Sequence, residues 1–249
     1  MNKLFKYYGH YYNLLYKDKN YAKESKYIKH LIDRFSKKKK ELLEFGSGTG
    51  DHGRYLVKSG FKVHGIEISQ EMINLSKKIK GFSCQQGDIT KVNMKKTYDC
   101  VLSLFHVVNY LNTNKKINAV FYNAANHLNK DGLFIFDFWY TPAVIKQKPG
   151  IRIKRSKNKK VKITRIAEPK IYHDQSRVDV KYNFFLQNLN NGLINFFEEV
   201  HPLRHFNLIE LKEIGKKNNF KLVNSEEFIT GAKLSDQTWS ACVVFKKIQ

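Results

Sequence analysis

The run Leu42-Leu43-Glu44-Phe45-Gly46-Ser47-Gly48-Thr49-Gly50 confines this chain to a small set of folds. An apolar stretch opening directly into three glycines at alternate positions reads as a buried parallel strand that ends in a tight turn. Gly46 and Gly48 let the backbone turn sharply and lie against a ligand, and Gly50 lets the next helix pack close to the strand. Glycine loops alone are weak evidence. The second strand, Phe61-Lys62-Val63-His64-Gly65-Ile66-Glu67, sharpens the reading because it ends on an acid. A parallel neighbour would place that carboxylate beside the loop, where it can accept both hydroxyls of a ribose.

Further along, the order of elements is that of an open α/β sheet. Ser69 is a good N-cap for a helix from Gln70 to about Lys80, with Met72 on its first turn. Tyr98 to Leu104 is apolar as a central parallel strand should be, and open sheets bind ligands at the carboxyl ends of such strands. Helix Phe121–Leu128, strand Leu133–Phe136, helix Leu208–Asn218 and strands Lys221–Phe228 and Trp239–Phe245 continue the sheet. Between them Val161–Ile166, Val178–Leu186 and Leu193–Val200 alternate in strand fashion, joined near His173-Asp174 and through the hairpin signal Asn190-Asn191-Gly192. These three read as an inserted antiparallel layer.

The ordered set Glu44-x-Gly46-x-Gly48-x-Gly50, Gly65-Ile66-Glu67-Ile68-Ser69 with Met72, Gly87-Asp88-Ile89 and Tyr98-Asp99 resembles the motifs of class I S-adenosylmethionine (SAM) dependent methyltransferases. A dinucleotide-binding dehydrogenase would explain the glycines and the acid but not Gly87-Asp88. The resemblance implies a Rossmann-like seven-stranded methyltransferase sheet, its last strand antiparallel, with a small antiparallel β cover. It divides a single domain of residues 1–249 into a helical lid (1–40), a SAM-binding core (41–145), the cover insert (146–206) and the rest of the core (207–249). It also implies cofactor contacts from Gly46, Ser47, Gly48, Glu67, Ile68 and Met72. Asp88, which would hold the adenine amino group, Ile89 and Leu104 complete that set.

Further stretches resemble narrower groups, chief among them the N-methyltransferases that act on nucleotide-linked deoxyaminosugars. Tyr12-Asn13 and Lys19-Asn20-Tyr21 resemble the lid pattern of one methyltransferase subgroup with Asn in place of both aspartates, which implies that Tyr21, and secondarily Tyr12, approaches the cofactor carboxylate. The tyrosine stripe of residues 7, 8, 11, 12 and 16 equally suits plain core packing. Phe105-His106-Val107-Val108-Asn109-Tyr110 occupies the frame in which the aminosugar group carries Phe, two small residues, an aliphatic, Gly and a His or Tyr. The match implies that Tyr110 is catalytic, facing the sugar amine, with Phe105 and His106 lining the pocket. Trp139, in Trp139-Tyr140-Thr141-Pro142, matches a third segment, and stacking on a base or sugar face would suit its ring. Glu199-x-His201 and His201-x-x-Arg204-x-Phe206 match the exit from the cover. Arg204 is the expected phosphate ligand, whereas His201 reads equally as a substrate contact and as a structural histidine.

Composition limits the alternatives. The chain has 249 residues, 42% of them hydrophobic, enough for one full core. No apolar run approaches a membrane span and no signal-peptide core is evident, so a cytoplasmic protein without a membrane partner is expected. Cys84, Cys100 and Cys242 form no metal spacing and read as buried reduced thiols. The net charge of +23 raises the possibility of nucleic acid, yet a Lys-, Asn- and Ile-rich composition can arise from genome bias alone. Ten Lys or Arg fall between residues 146 and 165 with no acid among them. The expected activity is methyl transfer from SAM to the amino group of a small molecule, a nucleotide-linked aminosugar being the implied substrate. An RNA-modifying methyltransferase, another small-molecule O- or N-methyltransferase and a non-catalytic SAM-binding protein are the alternatives, and the sequence leaves the oligomeric state open.

Overall fold

The computed structural model describes residues 8–36 and 40–248. Tyr7 and residues 37–39 of the basic lead-in to the glycine loop lie outside the described residues. The chain opens with helices α1 (Tyr8–Leu15) and α2 (Tyr21–Phe35), then β1 (Glu41–Phe45), α3 (Asp51–Lys58), β2 (Lys62–Glu67), α4 (Gln70–Ser76), β3 (Phe82–Gln86) and β4 (Tyr98–Ser103). It continues through a single 3₁₀ turn (Val107–Tyr110), α5 (Asn114–Asn126), β5 (Leu128–Trp139) and α6 (Thr141–Gln147). The insert is β6 (Arg152–Lys157), β7 (Val161–Tyr172), β8 (Arg177–Asn188) and β9 (Ile194–Arg204), and α7 (Leu208–Lys217), β10 (Phe220–Glu227) and β11 (Ser240–Lys247) close the chain.

The large sheet runs β3-β2-β1-β4-β5-β11-β10, parallel except for β11, which is antiparallel to both neighbours. Strand order reverses between β1 and β4, and the crevice past their carboxyl ends is where such a sheet takes a ligand. One face is covered by α5 and α7 over a phenylalanine cluster in which Phe121 meets Phe134, Phe136, Phe220 and Phe245 edge-on at 5.2 to 5.9 Å. Truncating so central a ring costs about 3 to 5 kcal/mol. The other face packs Ile28, Leu31 and Ile32 of α2 and Leu56 of α3 against Leu42, Cys100 and Leu102.

The expected architecture holds, with local differences. The cover has four strands, not three: β6 sits in the charge run, where lysines and arginines mask the alternation, and pairs along its length with β7. Helix α5 begins at Asn114 because Thr113 caps it, accepting from the Lys116 amide, seven residues before the apolar periodicity becomes clear. Helix α4 stops at Ser76, short of Lys80, where the Ser76 hydroxyl turns back onto the Ile73 carbonyl. The Lys130-Asp131-Gly132 segment lies inside the long β5 strand, with Asp131 at φ 64°.

The inner face of the cover meets two things. Ile163, Phe184 and Leu186 pack on Leu15 and its neighbouring tyrosines, so the first helix lies beneath the sheet. Val178, Val180 and Leu203 pack on Val144, Tyr110, Trp139 and Trp239, so the rest of the sheet caps the strand ends of the core. Among the described residues no helix is long and apolar enough to cross a membrane.

Candidate active site

The glycine loop is shaped by what it must avoid. At Gly46, φ is +70° and an added Cβ would lie 2.6 Å from the Val107 side chain, so only glycine fits between β1 and the turn after β4. At Gly48, φ is +55° but an added Cβ would meet nothing nearer than the Met72 sulfur at 3.9 Å, so this backbone faces open space. The Ser47 amide donates to the Ile66 carbonyl and its hydroxyl lies 3.4 Å from the Cys84 sulfur. Ser47 therefore braces the loop from below, and its side chain is turned away from the open side.

Glu67 ends β2 as expected. Its Oε2 accepts from the Gly48 amide, and its Oε1 from the amides of Ile68 and Ser69, each at 2.9 Å. Burial pushes this carboxyl up while the three amides hold it back. Beside it Ile68 is 44% exposed, an apolar surface next to a carboxylate, and Met72 lies under α1 close to Gly9. The Gly87 amide bonds the Glu67 carbonyl, which sets Asp88 alongside. Asp88 spends Oδ1 on Thr90, leaving Oδ2 facing only Lys91 at 3.8 Å. Ile89 accepts from Asn123 through its carbonyl and packs on the phenylalanine core, and Leu104 is buried among the residues facing α2 and α3. Asp99 of the fourth motif is structural, capping the amides of Lys40 and Glu41 at the start of β1.

Beneath the loop runs a buried polar chain that sequence reasoning missed. Lys19 pairs with Glu24, Glu24 meets His52 Nε2 at 2.6 Å, and His52 Nδ1 lies 3.7 Å from Glu44. Glu44 is buried, its Oε2 has no hydrogen-bond partner, and desolvation beside Glu67 and Asp51 pushes its carboxyl up to about 8. Glu44 had a place in the glycine motif and Lys19 in the lid pattern, but neither pattern set them against Glu24 and His52. Lys19, Glu24 and His52 come from the turn after α1, from α2 and from α3, and only folding brings them together with Glu44. Tyr21 lies edge-on to His52 at 5.0 Å and is hydrogen-bonded to Tyr12, both hydroxyls pushed up mainly by burial. Asn20, where the lid pattern has Asp, caps α2 by accepting from the Lys23 amide, a role that Asn and Asp perform equally well.

At the end of β4 the backbone is strained: Phe105 and His106 both adopt left-handed φ, 63° and 61°. Consecutive non-glycine residues in that region cost about 1 to 3 kcal/mol each and cluster at functional sites. The strain aims Phe105 at the tyrosines, 5.1 Å edge-on from Tyr16 and 6.4 Å from Tyr12, with the Lys19 ammonium 3.9 Å over its ring. His106 meets buried Asp137 at 3.2 Å and Ser240 at 3.0 Å, with its ring 5.8 Å from Phe105 and 6.2 Å edge-on from Trp139. It braces the strand ends from within the aromatic group, and burial pushes its imidazole down. Trp139 lies tilted against Trp239 at 5.6 Å, with its amide donating to the Asn109 side-chain oxygen.

The 3₁₀ turn then presents Tyr110 to the cover. Its hydroxyl lies 2.8 Å from His201 Nδ1, and His201 Nε2 lies 3.1 Å from Glu199 Oε2. Glu199 and His201 share one face of β9 because they are two residues apart. As a carboxylate, Glu199 can only accept, which fixes the proton on Nε2 and leaves Nδ1 to accept from Tyr110. Burial pushes the Tyr110 hydroxyl well above the ordinary tyrosine range, so it stays protonated. Glu199 was legible in the Glu-x-His pattern, but nothing in the sequence set it against Tyr110. Arg204 does not join this group. Its guanidinium pairs with Glu210 and with Asn114 at 2.7 Å, tying β9 to α5 and α7, so the cation expected to meet a phosphate is engaged elsewhere.

The residues present fit SAM: an open glycine backbone, a carboxylate with unused lone pairs, exposed Ile68 above it and an orphaned acid, Glu44, below. Glu67 would hold the ribose, Ile68, Met72 and Asp88 the adenine, and Tyr12 and Tyr21 the amino-acid end.

Residues 42–132 match the methyltransferase domain family. Over 134 residues the chain is 28% identical to the dTDP-3-amino-3,4,6-trideoxy-α-D-glucopyranose N,N-dimethyltransferase of Streptomyces venezuelae, covering 53% of this chain and 56% of that protein. It is 27% identical to the dTDP-3-amino-3,6-dideoxy-α-D-glucopyranose N,N-dimethyltransferase of Streptomyces fradiae over 51% of this chain and 50% of that one. The chain thus spans about half the length of these relatives. In fold the likeness is fuller. An S-adenosylmethionine-dependent methyltransferase from Clostridium acetobutylicum superposes with a TM-score of 0.80 at 19% identity, covering 96% of each chain. An amino pentose methyltransferase from Micromonospora echinaspora, solved with SAM bound, gives 0.77 at 20% identity over 99% of each. Residues 42–132 are a methyltransferase domain, and the chain built around them has the class I SAM-dependent methyltransferase fold.

Proposed function

We propose that this protein transfers the methyl group of SAM to the amino group of a small molecule, a nucleotide-linked aminosugar. The observation that carries this reading is the Tyr110-His201-Glu199 relay at the junction of cover and core. When bound, SAM supplies an electrophilic methyl group on a sulfonium sulfur. The nitrogen lone pair takes that methyl as the carbon–sulfur bond breaks, and the electron pair stays with sulfur. What remains for the chain is to orient the amine and carry away a proton. The Tyr110 oxygen accepts an N–H of the amine while its own proton points at His201 Nδ1. As the methylated ammonium loses a proton to that oxygen, the phenolic proton passes to Nδ1, and the imidazolium is paired with Glu199. The phenol never needs to ionise, which suits its raised pKa.

The two aminosugar relatives and the aromatic lining of Phe105, Tyr12 and Tyr16 support this substrate class, since rings of this kind cover the apolar face of a sugar. The direct test is incubation with SAM and a thymidine-diphosphate aminosugar, followed by mass spectrometry of the nucleotide product. Methylated amine with the wild type, and about tenfold or greater loss of turnover in Glu199→Gln with SAM affinity retained, is the expected result. A product methylated on oxygen, or none, contradicts it.

A further inference from the structure

The charge run of residues 146–165 is sorted by the pleat of the cover sheet. Eight of its ten cations, among them Lys157, Lys159, Lys160 and Lys162, are exposed, and only Lys154 and Arg165 are half-buried. These two are direct cross-strand partners on β6 and β7, and Arg165 shares its face with buried Ile163 and Ala167. Both point at the tyrosines beneath the sheet. The Lys154 ammonium lies 5.2 Å from the centre of the Tyr16 ring, and the Arg165 guanidinium lies 6.0 Å from that ring and 4.9 Å from the Tyr182 ring. Arg165 Nη1 also donates to the Tyr16 hydroxyl at 3.1 Å. A single ring separates this pair from the relay, since Tyr182 lies 4.8 Å from the His201 ring. The guanidinium and the imidazole thus flank the same ring, 4.9 Å and 4.8 Å from its centre.

Resting on the amine-acceptor reading above, we infer that Lys154 and Arg165 receive the phosphate-bearing end of the acceptor, while the remaining cations of the run serve only as solvated surface. The planar guanidinium offers a fork of donors matched to phosphate oxygens, and the ammonium beside it adds a second positive charge for a diphosphate. Resting the cations on aromatic faces holds them in position before the anion arrives. The same pair would also suit the carboxylate of SAM, so the test must separate the two anions.

Calorimetry with thymidine 5′-diphosphate and, separately, with SAM does this on the full chain. Arg165→Gln should weaken thymidine diphosphate about tenfold or more, and Lys154→Ala about threefold, with SAM affinity unchanged in both. Simultaneous substitution of Lys157, Lys159, Lys160 and Lys162 by Glu should change it by less than about twofold at moderate salt. The inference is overturned if the wild type does not bind thymidine diphosphate, if both single variants bind it normally, if they lose SAM instead, or if the four-lysine variant is the impaired one. Because the readout is binding, it stands apart from the turnover assay: a wild type that binds the nucleotide in an Arg165-dependent way but methylates no amine would sink the proposed activity and leave this subsite standing.

Discussion

The large sheet and the cover hold their functional groups by different means. In the large sheet the groups are fixed by backbone: three amides converge on Glu67, glycines keep the loop open, and Asp88 is set by its own turn. In the cover the groups are side chains on long strands, and they become a site only because the sheet lies over the 3₁₀ turn that presents Tyr110. Backbone sites are intolerant of change, since moving the amides moves the loop. Side-chain sites on a pleated sheet can be altered one residue at a time without disturbing the fold, which suits a surface that must match a particular acceptor.

That contrast predicts where substitutions do most damage. The largest effect belongs to Glu67→Ala, which leaves three amides and the ribose hydroxyls without their acceptor at about 1 to 3 kcal/mol each. SAM affinity measured by calorimetry should fall at least about a hundredfold, and a smaller change would remove Glu67 from the ribose site. Next is the buried acid beneath the loop. Because the Glu44 carboxyl is pushed from its ordinary 4.5 to about 8, the native state keeps a proton that the unfolded chain has released. Its contribution is therefore fully present below about 4.5 and lost as pH rises through about 8. The melting temperature should fall across that window, and Glu44→Gln should flatten the slope. An unchanged slope would mean that Glu44 is ionised in the native state. Arg204→Ala should have the smallest effect, lowering stability by about 1 to 2 kcal/mol through loss of its bonds to Glu210 and Asn114. The Michaelis constant for a nucleotide-sugar should stay unchanged, and a tenfold rise would return Arg204 to the phosphate site.

The same contrast explains how much could be read beforehand. Groups fixed by local backbone leave a local trace, so the loop, Glu67, Asp88 and the order of the large sheet were legible as motifs. Groups assembled across the sheet leave none: Arg165 and Lys154 looked like any other members of a charge run until the β6–β7 register put them side by side. His106 was legible as a neighbour of Phe105, and its ring does lie 5.8 Å from that ring, but its bonds to Asp137 and Ser240 join it to distant strands and left no local trace. Arg204 matched a pattern whose meaning depends on Glu210 and Asn114, six and ninety residues away.

The central claim is that donor binding belongs to the large sheet and acceptor chemistry to the junction with the cover. Tyr110→Phe tests it most directly, since it removes one hydroxyl and leaves the ring in place. SAM affinity by calorimetry should be unchanged, while turnover on an aminosugar nucleotide falls about tenfold to a hundredfold. Equal loss of SAM affinity and turnover, or turnover equal to that of the wild type, would contradict the account.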